Sequence, residues 1–287
     1  MIIEKLFEDW QKDLYDEFDL QPAIDEIGVR KVLDILLDNI GYPESYLREN
    51  VLEATGALTE MAVLTSEDYL HALNRSIPIL FKGIDDGEND DVFGRGFVSF
   101  VIAMVLYADA EMGFLSDEHR MEIFDKAVEY MIREKDRRGF VYGKGIVHTI
   151  AHGLSMLEAM IEHPKFSEED TSRILEAVKI NVVGKGRFAA DDWADESLVD
   201  VISALLNKGI AEDTIKEWIE NLLPPVPTNV RKYTDEHYPY VQMFSDIRHF
   251  LMCLYFELKE KAMNDGLQEW IFEYLPTLQG KAYLRIR

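Results

Sequence analysis

Apolar residues recur at helical spacing along nearly the whole chain, and the strict apolar and polar alternation of a half-buried strand is almost absent. Leu33, Leu36, Leu37 and Ile40 form one stripe at i, i+3, i+4 and i+7; Gly41 comes next as a suitable C-cap, and Pro22 suits the first turn of the same helix. The pattern predicts helices near 2–18, 22–40, 44–63, 67–82, 92–112, 117–134, 146–162, 168–181, 193–207, 212–222, 240–264 and 267–275.

Every second helix opens in the same way. Ser66-Glu67-Asp68, Ser116-Asp117-Glu118 and Ser167-Glu168-Glu169 each set a capping hydroxyl before first-turn carboxylates, which suit the positive end of the helix dipole; Ala211-Glu212-Asp213 is a degenerate fourth copy. The steps between copies are 50, 51 and 44 residues, close to the two-helix units of HEAT-like arrays. The expected fold is all-α: stacked antiparallel helical hairpins, as a HEAT-like right-handed array or a compact α-α superhelix. Its units fall near 44–82, 92–134, 146–181 and 193–222, with a long C-terminal helix near 240–264. Leu223-Pro224-Pro225-Val226-Pro227 interrupts the series, but the remainder of the chain is short for an independent core, so a single domain over 1–287 is expected.

Composition narrows the partners. Hydrophobic residues at 47% and charged residues at 29% describe a soluble globular chain rather than a disordered one. With 54 acidic against 30 basic side chains, the net charge of -24 repels phosphate backbones and anionic lipid, and the basic cluster from Arg133 to Arg138 is broken by Glu134 and Asp136. Nucleic acid is therefore not an expected partner. The single Cys253 excludes an internal disulfide and a multi-thiolate zinc site and fits a reducing cytoplasm. Met1-Ile2-Ile3-Glu4-Lys5 lacks the marks of a secretory leader. The longest apolar run, Phe97 to Ala108, falls short of the ~20 residues of a membrane span, so it reads as a buried helix with no membrane partner.

Candidate chemistry centres on Gly145-Ile146-Val147-His148-Thr149-Ile150-Ala151-His152-Gly153, where an i, i+4 histidine pair projects from one helix face in an apolar setting. Counted in the repeat register, the offsets of His148 and His152 from Ser167 fall in the next unit on Asp192 and Glu196. Arg95, entering an apolar helix between two glycines, lies one unit earlier, and Asp246 and His249 lie one unit later. A polar ladder of Arg95, His148, His152, Asp191, Asp192 and Glu196 could thus line one groove. In the metal reading, His148, His152, Asp192 and Glu196 hold a divalent transition metal, zinc, iron or manganese, and Arg95 binds an anionic substrate. In the structural reading the same groups satisfy one another between packed helices. The expectation is a binding or scaffold protein that holds a peptide, protein or small-molecule ligand in this groove; the alternative is a metal-dependent hydrolase, and whether there is catalysis stays open.

Three blocks carry a resemblance: Asp91-Val92-Phe93-Gly94-Arg95-Gly96-Phe97, then Glu134-Lys135-Asp136-Arg137-Arg138-Gly139-Phe140 continuing to the histidine segment, and then Asp191-Asp192. In this order they resemble domain-of-unknown-function family 2785, a bacterial family found largely in Firmicutes. The resemblance implies a compact all-helical bacterial protein and supplies no activity.

Overall fold

The computed structural model describes residues 20–183, 194–223, 230 and 234–284. Among these residues the chain is helical throughout apart from one minimal hairpin, and it divides into two compact units, the first ending at Lys165 and the second beginning at Phe166. The first holds α1 (Gln21–Ile27), α2 (Val29–Asn39), α3 (Ser45–Glu60), α4 (Ser66–Leu80), α5 (Asp91–Met112), α6 (Asp117–Arg133), the antiparallel β1 (Phe140–Val141) and β2 (Gly145–Ile146), and α7 (Thr149–Glu162). The second holds a 3-10 turn (Glu168–Asp170), α8 (Thr171–Val183), α9 (Ala194–Asn207), α10 (Glu212–Glu220), α11 (Tyr238–Glu260) and α12 (Asp265–Leu284). The predicted helix at 2–18 lies outside the described residues. So do Asp191, Asp192 and Trp193.

Local chemistry sets the boundaries. The helix expected over 22–40 is broken at Gly28, whose φ of 85° is a left-handed-side conformation that a glycine takes without steric cost. Gly41 is not a cap: a Cβ there would stand 2.9 Å from the Cα of Gly94, so its bareness lets the chain after α2 lie against α5. The cap of α4 is Thr65, one residue before the expected Ser66. Its hydroxyl accepts from Asp68 N at 3.3 Å while the Asp68 carboxylate accepts from Thr65 N at 2.9 Å, a reciprocal capping box. Ser116 caps α6 as expected, accepting from His119 N at 3.2 Å, and Ser167 caps the 3-10 turn ahead of α8.

α5 is the centre of the first unit. It is long and apolar enough to cross a membrane, but 72% of its most apolar window is buried against neighbouring helices, which makes it a core helix. It packs on α4 and α7 most extensively and also meets α3, so that α3, α5 and α7 form a row. Consecutive helices that pack together are α1 with α2, α2 with α3, α4 with α5, α6 with α7, α8 with α9 and α11 with α12. Three of these pairs, α4 with α5, α6 with α7 and α8 with α9, join the second helix of one expected unit to the first helix of the next. A cap marks where a helix starts; its packing partner is chosen by apolar faces meeting in three dimensions.

The seam between α5 and α7 depends on Gly96. A Cβ at this position would lie 2.5 Å from the carbonyl oxygen of Val147 and 3.1 Å from Thr149 N, both backbone atoms that cannot rotate away. At Gly153, by contrast, an added Cβ would meet side chains rather than backbone, Met131 Sδ at 2.4 Å on a flexible chain and Cε1 of the buried Tyr130 ring at 2.9 Å. Gly96→Ala is therefore expected to cost about 3 kcal/mol or more and Gly153→Ala about 1–2 kcal/mol, measured by urea unfolding. Equal costs at the two positions would show that the seam is not rigid.

Candidate functional site

The histidines stand where the hairpin meets α7. Pairing of Phe140 with Ile146 and a bond from Val147 N to Gly139 O at 3.0 Å bring the chain back toward α5, where Val147 is buried with Val92 and Phe93. The expected helix start at 146 is thus displaced to Thr149, with His148 as its N-cap residue in the left-handed region, φ 59°. Histidine is among the side chains that enter this region more readily than most. His148 O still accepts from His152 N at 3.0 Å, so the first turn closes and both imidazoles emerge on the same side.

The two rings stack face to face, with centroids 4.6 Å apart and planes 12° from parallel. Phe97 of α5 meets both edge-on, at 5.7 Å from His148 and 5.3 Å from His152, and Phe100 lies 5.1 Å from His152. His152 Nδ1 is 3.2 Å from the carbonyl oxygen of Gly96. A carbonyl only accepts, so Nδ1 carries the proton and Nε2 of the neutral ring is left as an acceptor. Burial, with the Arg48 charge as a second cause, lowers the His148 pKa to about 4. Burial and the neighbouring His148 lower that of His152 to about 3. Both imidazoles are neutral at pH 7.

Two residues of α3 that the sequence reading did not single out complete the surroundings. Arg48 is fully buried, and it donates from Nη1 to Tyr42 O at 2.7 Å and from Nη2 to Lys144 O at 2.8 Å and Ile146 O at 2.9 Å. Its guanidinium lies 4.1 Å from the centre of the Phe93 ring, a cation-π contact that helps hold the charge away from water. Arg48 thereby ties the hairpin to the start of α3. Glu49 is next to it in the chain, with Oε1 3.8 Å from His148 Nε2 and a side chain 35% exposed. Burial, and to a lesser degree the like charge of Glu53, raises the Glu49 pKa to about 7 against the lowering effect of Arg48. Among the described residues no hydrogen bond to its carboxylate is present. A signal was there in Arg48-Glu49 on an amphipathic helix, but its meaning depends on a contact 99 residues away in sequence.

Arg95 sits elsewhere. Its guanidinium is fully buried and grips Glu134 at both carboxylate oxygens, Nε to Oε2 at 2.6 Å and Nη2 to Oε1 at 3.2 Å, while Nη1 donates to Lys82 O at 2.9 Å. The donors expected to meet an anionic substrate are therefore engaged in joining α5 to the end of α6. Asp191 and Asp192 lie outside the described residues, and Glu196 belongs to the second unit on α9. His249, on α11, pairs with Asp195 at 2.8 Å within that unit. Tyr142, at the hairpin turn, is 95% exposed.

A further buried histidine is structural. His163 Nδ1 accepts from Lys165 N at 3.1 Å, which leaves the proton on Nε2 to be donated to Asp109 at 3.1 Å. The same carboxylate accepts from Leu115 N at 2.6 Å and from Arg120 Nε at 3.2 Å, fastening the turn between α5 and α6 to the end of α7.

The stacked pair is poorly arranged for a metal. Ring-nitrogen lone pairs lie in the ring planes, and two nearly parallel planes do not converge on one ion. Among the described residues no group of three or more His, Cys, Asp or Glu side chains is disposed to hold a metal ion. The cluster holds two acceptors, the Glu49 carboxylate and the Nε2 lone pair of His152, and one buried donor without a hydrogen bond among the described residues, Arg48 Nε.

The sequence model of a family described as "Protein of unknown function (DUF2785)" matches residues 80–256, a span that includes α5, the hairpin and the histidines but not Glu49. No curated protein and no solved structure matches the chain.

Proposed function

The chain belongs to the DUF2785 family, whose description names no reaction, and from the chemistry of the site we propose a ligand-binding protein that takes a small molecule or peptide group at the Glu49, His148 and His152 cluster of its first unit. One observation carries this reading: a carboxyl group partly withdrawn from water has no hydrogen bond from the described protein, beside imidazoles kept neutral. Polar groups withdrawn from water are ordinarily compensated by partners, so the uncompensated carboxyl is suited to receive one from outside. The row of α3, α5 and α7 supports an array-like build of stacked helices. The single cysteine and acidic composition support a cytoplasmic setting. A wider groove that adds Arg95, Asp191, Asp192 and Glu196 has less support, since Arg95 is already held by Glu134.

Thermal unfolding of the intact chain with a panel of amines, imidazoles, carboxylates and short peptides, and separately with zinc, manganese and iron salts, tests this. A ligand at 100 times its Kd stabilises by about 2.7 kcal/mol, a rise of several degrees in Tm. The rise is expected in the unaltered chain and is expected to vanish in Glu49→Gln and His152→Phe. A panel in which no compound raises Tm, or in which every rise survives both changes, would remove the binding reading. A rise with a transition metal alone, accompanied by stoichiometric metal in the purified protein, would favour the His and carboxylate hydrolase instead.

A further inference from the structure

We propose that the first unit carries a second binding site, separate from the Glu49 cluster, for an uncharged, hydroxyl-rich ligand about the size of one sugar ring. The site is a cavity of about 300 Å³ beside the contact between Gly41 and Gly94, where the end of α2, the end of α4 and the start of α5 come together. That volume stands at the lower limit of the roughly 300–1,000 Å³ of small-molecule sites, so the occupant is compact. No lining residue belongs to the Glu49, His148 and His152 cluster, so the two readings stand or fall separately.

The first argument is charge. Each lining carboxylate has one oxygen held by a cation: Asp38 Oδ1 by Arg75, Asp90 Oδ2 by Lys144, and Asp91 Oδ1 by the lining Lys82 at 2.8 Å. Arg75 is shared with Asp34, which has His71 beside it as well. Every lining charge thus has an opposite charge next to it. A cationic ligand would have to compete with Lys82 for Asp91, and an anionic one with Asp91 for Lys82; an uncharged ligand disturbs neither.

The second argument is the kind of bond left over. Among the described residues, the other oxygen of Asp38, of Asp90 and of Asp91 receives no hydrogen bond, and Asn39 spends its amide N–H on Ile35 O at 2.8 Å, which leaves its side-chain oxygen. These oxygens only accept, whereas the Lys82 ammonium, with three N–H groups and one carboxylate partner, only donates. A hydroxyl does both, so a ring that bears several hydroxyls meets the whole rim without bringing a charge. Leu37, Ile40, Pro43 and Ile79 supply an apolar wall for the C–H bonds of such a ring.

The test presents one ring in three charge states: the neutral hexoses glucose, galactose and mannose, the cation glucosamine and the anion glucuronate. A salt concentration of about 0.15 M screens the general field of the acidic chain. Each sugar is titrated into the intact isotope-labelled protein and followed by NMR, through saturation transfer to its C–H protons and through the backbone amides of Gly41 and Gly94. At least one neutral hexose is expected to bind saturably, to shift both amides, and to bind more tightly than glucosamine or glucuronate. Asp38→Ala and Lys82→Met change exposed side chains, so both variants are expected to keep their far-UV circular dichroism and each to bind that hexose about tenfold more weakly. If no hexose binds, if binding leaves the two amides unmoved, or if it survives either substitution at full strength, the site is overturned. Glucosamine or glucuronate binding as tightly as the hexoses, or more so, overturns the uncharged ligand and puts an organic cation or anion in its place.

Discussion

Arg95→Met is expected to be among the most damaging single substitutions in the chain, costing about 3–5 kcal/mol. The side chain removed is fully buried, and Glu134 is left equally buried without its ion-pair partner. What stays near that carboxylate is the backbone N–H of Asp136, 2.9 Å from Glu134 Oε1, and the charge of the buried Arg137. The attraction within the pair is not the origin of the loss; stranding one ion in the core is. Arg95→Met combined with Glu134→Gln should therefore recover a substantial part of the stability, because glutamine keeps an oxygen for Asp136 N without a charge. Urea unfolding of both single variants and the double one gives the coupling energy. A coupling below about 0.5 kcal/mol would mean that water reaches the pair and that the ionic link between α5 and α6 is incidental.

Acid is expected to weaken the fold through the stacked histidines well before the bulk of its carboxylates protonate. The folded-state pKa of His148 is lowered from 6.5 to about 4 and that of His152 to about 3, so between those values and 6.5 the unfolded chain binds more protons than the folded one. Stability from keeping these rings neutral is fully present above pH 6.5 and is lost as pH falls toward the folded values. For His148 the full loss is about 3 kcal/mol, with a similar order for His152. Glu49 works in the opposite window. Its folded pKa is raised to about 7 from 4.5, so stability is lost as pH rises from 4.5 through 7. With 35% of the side chain in water that contribution is discounted to about 1 kcal/mol. Urea midpoints from pH 4.5 to 8.5 should thus show a steep acid limb and a shallow alkaline one. His148→Asn, which tolerates the same left-handed backbone, should flatten the first, and Glu49→Gln the second. An acid limb unchanged in His148→Asn and in His152→Phe would assign it to other groups.

Much of the helical layout was legible because its causes are local. The period of apolar positions, the Ser116 cap and the long apolar stretch of α5 each report on a few consecutive residues, and each corresponds to an observed element. Errors arose where a local signal has two uses. Gly41 has the look of a cap yet serves as a gap for Gly94, and the Gly145 to Gly153 segment has helical apolar spacing yet spends its first residues in a strand and a left-handed turn. The family resemblance, carried by the blocks from Asp91 to the histidines, fell on the same segment that the family match spans.

Composition, periodicity and ordered motifs are properties of the string, and they suffice to make this chain all-helical, acidic and a member of DUF2785. They also put the histidines on one face, because an i, i+4 spacing at a helix start leaves them no other choice. What each polar group meets was settled by packing alone. Arg95 turned to Glu134, and His152 gave its proton to Gly96. His148 came to face Glu49, a residue far away along the chain that no repeat register selects. The physical reason is that burial makes a charge or a hydrogen-bonding group seek a partner, and which partner is within reach depends on how whole helices pack, not on the spacing of residues within one of them.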